Sequence, residues 1–162
     1  MSLRRTALQR RTELKRTPMP RHQREAKDRV VRTVKRQRDT GPTSATREIV
    51  AARANWCCEI CGRSLFVPDV GWVYRHSTHH RRPRGMGGTS RPDTNEPSNL
   101  MLVCGNATSP GDCHSWIESN RAVALVLGYL VDQAGDPETR PVELYTGRRV
   151  FLTVDGTYAD AA

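Results

Sequence analysis

Four cysteines arranged as two pairs constrain this chain more than any other feature. Cys58-Glu59-Ile60-Cys61 is a C-x-x-C pair followed at once by Gly62, and Cys104 and Cys113 come later, around a loop of Gly, Asn, Ser and Pro. Two intervening residues let both thiolates of the first pair face one ion, and the glycine permits the reversal that follows. Four thiolates make a closed tetrahedral site, which suits structural zinc. The second pair is wider, with eight residues between its members. Cys57 competes with Cys58 for the first position; the reading adopted here takes Cys58 and leaves Cys57 as a spare thiol beside Trp56. Five cysteines, two of them adjacent, argue for metal ligands and against a disulfide framework.

The rest of the composition points to such a staple. Of 162 residues only 36% are hydrophobic and 6% aromatic, a lean supply for a core, and chains of this kind lean on a metal or cross-links. The metal-free protein is therefore expected to be partly unfolded.

Charge is distributed unevenly. Residues 1–48 hold 15 Lys/Arg against 5 Asp/Glu, a net of +10, whereas residues 49–162 hold 11 against 12. Within the arm, Arg4-Arg5-Thr6, Arg10-Arg11-Thr12 and Lys15-Arg16-Thr17 repeat a small basic unit. A low-complexity basic arm on a nearly neutral body reads as a polyanion-binding tail, disordered when free, and nucleic acid is the expected polyanion because no apolar anchor accompanies the charge. The longest apolar run, residues 122–127, is far short of a membrane span. The expectation is a soluble cytoplasmic monomer with no membrane partner.

Three segments follow from these patterns: a basic arm over 1–43, a zinc-stapled domain over 44–130 and a C-terminal β-hairpin appendage over 131–162. A polar helix is expected over 21–38. A second helix, capped by Ser44 or Thr46, is expected over 47–56. Strands are expected over 70–80 and 99–103, then a helix from Cys113 to Leu127 with Trp116, Ile117, Val123 and Leu127 in the core. Residues 142–145 and 149–154 read as the hairpin.

His79-His80 is followed by Arg81-Arg82-Pro83-Arg84 and by Gly85, Gly87 and Gly88, which would let the backbone turn tightly. Adjacent histidines before three arginines would be costly to bury, so an exposed cleft is the natural reading. His22 and His76 are read as structural. Asn99-Leu100 and Cys113-His114 come next in order. In this combination the chain resembles the HNH endonuclease family over about residues 56–130, and most of all the small HNH proteins of actinobacterial phages. The resemblance implies a small α+β fold, a ββα-metal (treble-clef-like) finger held by the four-cysteine zinc site. It further implies a metal-dependent endonuclease or nickase acting on DNA, RNA not being excluded, and leaving 5′-phosphate and 3′-hydroxyl ends. In that reading His80 is the general base. His79 and His114 hold one catalytic divalent ion, Mg²⁺ or Mn²⁺, with Glu118 as a third or water-mediated ligand or a simple solvated helix residue. Asn99 would pin the loop that carries His80. Arg81, Arg82, Arg84 and Arg121 could bind phosphates. The alternatives are a non-catalytic zinc-dependent nucleic-acid-binding protein and an accessory factor to a phage terminase or packaging machine.

Overall fold

The computed structural model describes residues 41–85 and 89–161. The basic repeats, the helix expected over 21–38, His22, Gly87 and Gly88 lie outside these residues.

Helix α1 (Ser44–Arg53) is capped by Thr43, whose hydroxyl accepts the Thr46 N–H at 3.1 Å. The cap thus precedes both expected candidates, Ser44 and Thr46, and it satisfies an amide that the helix itself leaves without an acceptor. The helix buries Val50 and Ala51. Asn55 and Trp56 then turn the chain with φ of 46° and 58°, and the Trp56 ring is held against Phe66 and Trp72 at centroid distances of 4.8 and 5.4 Å.

The strand expected over 70–80 occurs as separate pieces. β1 (Phe66–Val67) and β2 (Gly71–Trp72) pair with each other, and β3 (His76–His80) pairs antiparallel with β4 (Leu100–Cys104). The register sets His79 opposite Met101 and His80 opposite Leu100. Every residue of β4 is buried, so this strand is the spine of the core. The helix expected from Cys113 to Leu127 is broken into α2 (Cys113–Ser119) and α3 (Arg121–Val126) by Asn120, whose φ/ψ of −122°/45° is not helical. The break rotates the second half, so the apolar stripe does not continue across it. Ile117 and Ala124 are buried, but Trp116 and Val123, expected in the core, are 39% and 48% exposed.

Residues 131–162 are more than an appendage. β5 (Val142–Glu143), β6 (Arg149–Leu152) and a further strand, β7 (Tyr158–Asp160), form a three-stranded antiparallel sheet. Val142, Val150 and Leu152 are fully buried in the same cluster as Val50, Leu100 and Ile117. The Tyr158 hydroxyl donates to Glu59 Oε1 at 2.7 Å. Glu59 is itself buried, paired with Arg53, and accepts the Leu102 N–H at 2.6 Å. One carboxylate therefore joins α1, the first cysteine pair, β4 and β7, with each of its oxygens satisfied as burial requires. Among the described residues no helix is long and apolar enough to cross a membrane.

Arg81 corrects a sequence expectation. It does not face phosphate but is fully buried. Its guanidinium donates to four carbonyls: Nε to Gly128 at 2.8 Å, Nη1 to Ser98 and Pro137 at 3.1 and 2.9 Å, and Nη2 to Arg140 at 2.6 Å. Burial pushes its pKa down to about 9, still well above neutral, so the group remains charged. Arg82 is also withdrawn, donating to Gly135 O at 2.8 Å and pairing with Asp93 at 2.6 Å. Both arginines tie the end of β3 to the C-terminal segment. Removing Arg81 as Arg81→Leu leaves four carbonyls without their donor, and each buried acceptor left unsatisfied costs about 1–3 kcal/mol. Chemical denaturation of the zinc-loaded variant should show a large fall in midpoint; an unchanged midpoint would mean the four bonds contribute nothing.

Candidate metal centres and catalytic cavity

Two clusters of ligand-type side chains form among the described residues, and α2 contributes to both. The first is Cys58, Cys61, Cys104 and Cys113, whose sulfurs all lie within 4.8 Å of one another. Cys58 and Cys61 come from the turn after α1, Cys104 ends β4, and Cys113 begins α2. Gly62, with φ of 72°, closes that turn by donating to the Cys58 carbonyl at 2.8 Å. A Cβ there would lie 2.6 Å from the Tyr145 ring, so no larger residue fits. Gly105 (φ 80°) plays the matching part after Cys104, where a Cβ would collide with Asp112.

The cluster fits zinc by its geometry and its electrostatics. Cys61 and Cys104 sulfurs are 3.8 Å apart, the separation that a tetrahedron with Zn–S bonds of about 2.3 Å requires. Backbone amides point at sulfur: Cys104 N–H at Cys58 and Cys113 N–H at Cys104, both at 3.4 Å. The Cys113 thiol, donating to it, holds Cys58 down at about 5, with help from the amides of Cys104, Cys61 and Ile60. Burial pushes Cys104 up to about 11, and Cys113 rises because its proton is shared with the Cys58 thiolate. One thiolate is thus stable among its neighbours, and four together need a cation. Cys57 is outside the cluster, bridged to Ser64, which resolves the Cys57/Cys58 ambiguity in favour of Cys58.

The second cluster is His79, His114 and Glu118, again with ligand atoms within 4.8 Å. His79 Nε2 donates to the Tyr129 carbonyl at 3.1 Å. A carbonyl only accepts, so the neutral ring carries its lone pair on Nδ1. Burial, reinforced by His114, drives the His79 pKa down to about 3, keeping that lone pair available near neutral pH. The His114 ring is 5.0 Å from that of His79, centroid to centroid. Its Nδ1 is buried and has no hydrogen-bond partner among the described residues. Burial lowers the His114 pKa too, against the opposing pull of Glu118. A buried, unpartnered imidazole nitrogen is costly, and a cation would satisfy it. Two neutral imidazoles and a carboxylate suit a divalent ion that keeps open positions. Glu118 is also paired with Arg121 at 2.7 Å, so its carboxylate is already partly engaged.

A cavity of about 480 Å³ opens beside this cluster, lined by His79, His80, His114 and Glu118 among others. His80 Nε2 meets Asn95 Oδ1 at 3.0 Å, which places the lone pair of the neutral ring on Nδ1. Asn99 is buried and accepts the Arg82 N–H at 2.8 Å while donating to the Thr94 carbonyl at 2.8 Å. It joins the segment leaving His80 to the turn that carries Asn95. Asn95 itself was invisible in the sequence, since nothing in Pro92-Asp93-Thr94-Asn95 marks it as a partner for a histidine fifteen positions earlier. His76, read as structural, stacks on Trp72 with ring centroids 3.6 Å apart and also lines the cavity. Of the four arginines expected at phosphates, Arg81 and Arg82 are buried elsewhere, Arg121 pairs with Glu118, and Arg84 reaches the cavity.

Comparison with protein-family models, with curated proteins and with solved structures finds no match to this chain. What is established is a small α+β protein with a four-cysteine cluster that could hold zinc.

Proposed function

We propose that the chain is a metal-dependent HNH endonuclease or nickase that hydrolyses phosphodiester bonds of DNA, built on a zinc-stapled ββα-metal finger. The observation that carries this reading is the convergence of His79, His114 and Glu118 within 4.8 Å, beside His80 in one cavity. His80, oriented by Asn95, accepts a proton from a water molecule through Nδ1. The water oxygen bonds to phosphorus as the bond to the 3′ oxygen breaks, and the departing 3′ alkoxide takes a proton from solvent, leaving 5′-phosphate and 3′-hydroxyl ends. A divalent cation, Mg²⁺ or Mn²⁺, held by His79, His114 and Glu118, would supply charge neutralisation at the phosphate and the leaving oxygen. Tyr129 fixes the His79 ring through its carbonyl, and Asn99 holds the His80 segment in register. The basic arm over 1–43 supplies non-specific attraction to the polyanion.

The purified, zinc-loaded chain should convert supercoiled plasmid to open circles with Mg²⁺ or Mn²⁺ and not without a divalent ion. Tight DNA binding with no conversion under either ion would overturn the enzyme reading in favour of a non-catalytic zinc module, which needs the four cysteines but not His80.

A further inference from the structure

The cavity beside His80 has a second wall, formed by Gly41, Pro42, Arg47 and Arg84. Arg47 comes from the first turns of α1 and Arg84 from the segment after β3, so two distant parts of the chain bring cations to one place. A Cβ built on Gly41 would lie 3.6 Å from Arg84 Nη1 and 3.9 Å from Arg47 Nη2; both guanidinium groups end against the same glycine.

Helix stability does not explain Arg47. A cation near a helix N-terminus opposes the macrodipole. The positions three and four residues away on α1, Ser44, Thr43, Val50 and Ala51, offer no carboxylate. Among the described residues the Arg47 side chain makes no hydrogen bond and no ion pair, although it is exposed and able to do so. A phosphate that enters a cavity lined by two guanidinium groups is attracted by both.

We infer that Arg47 and Arg84 form a phosphate-binding subsite in the cavity that His79 and His114 also line, with a backbone phosphate of nucleic acid next to the scissile one as its ligand. Naming that phosphate as a neighbour of the scissile one rests on the nuclease reading; the anion site itself does not. Arg47 is then a positioning residue, fixing the strand so that one phosphodiester lies against His80. The planar fork of arginine suits two phosphate oxygens at once. This assigns the phosphate-binding part expected of Arg81 and Arg82 to a residue from α1 that the sequence did not single out.

The test uses the full zinc-loaded chain without added divalent ion, so that no cleavage intervenes. A fluorescent DNA duplex is titrated at a series of salt concentrations for wild type, Arg47→Gln and, as a charge control, Arg149→Gln on the exposed face of β6. Loss of one phosphate contact should make the slope of log K against log salt shallower by about 0.9 in Arg47→Gln, with binding weakened severalfold and zinc content unchanged. Arg149→Gln should leave the slope as in wild type. An unchanged slope in Arg47→Gln, or an equal change in both variants, would overturn the subsite. Plasmid nicking with Mg²⁺ is measured in parallel, where Arg47→Gln should raise KM more than it lowers kcat. A wild type that never nicks while Arg47→Gln alone loses slope would defeat the nuclease reading and leave the phosphate subsite standing.

Discussion

Removing the metal from the Cys58–Cys61–Cys104–Cys113 site is expected to unfold the centre of this protein. Apparent binding free energies of structural zinc are about 10–16 kcal/mol near neutral pH, whereas a whole domain is stable by about 5–15 kcal/mol. The magnitudes decide the outcome, because a zinc ion held by these four thiolates would be comparable to everything else that holds the fold. Its position decides where the damage falls. The ligands come from the turn after α1, the end of β4 and the start of α2, so losing it frees the strand opposite His79 and the helix that carries His114. Chelation should abolish ordered circular dichroism from these elements, and Cys58→Ser should be isolated zinc-poor and unstable. Cys57→Ser, which alters a thiol outside the cluster, should keep its zinc and its melting temperature. The reverse pattern, with Cys57→Ser losing zinc and Cys58→Ser retaining it, would reassign the ligand.

The parts of this architecture that were legible in the sequence are those whose information is local or chemically unusual. The C-x-x-C pair with its glycine, the later cysteines, and His79, His80 and His114 announce themselves because few structural roles need those residues in that spacing. Arg81 and Arg82 show where legibility ends. Strand alternation puts Arg81 on the same inward side as His79, but the carbonyls that receive it belong to Ser98, Gly128, Pro137 and Arg140. No pattern in the arginine run tells which of its members will meet a returning chain and which will meet solvent. The break at Asn120 was hidden for another reason: the apolar spacing from Ile117 to Leu127 reads as one helix, and a single non-helical residue re-aims half of it. β7 went unseen because a three-residue edge strand carries too little periodicity to distinguish it from loop.

Replacing His80 is the other change expected to act strongly, and by a different route. Its side chain is half-buried and is not in the hydrophobic core or at the zinc site, so His80→Ala should leave zinc content and folding as they are. The loss should fall on chemistry, where a positioned general base accounts for about 10²–10⁴-fold in rate. Neither His79 nor Asn95 can substitute for it, since burial and the Tyr129 carbonyl fix the His79 ring and Asn95 has no basic nitrogen.

The rate of plasmid nicking by wild type and His80→Ala, at matched zinc content and in saturating Mg²⁺ or Mn²⁺, therefore bears most directly on the proposed activity. The account predicts open circles from wild type and a rate at least about a hundredfold lower from the variant. Equal rates from the two proteins would contradict it.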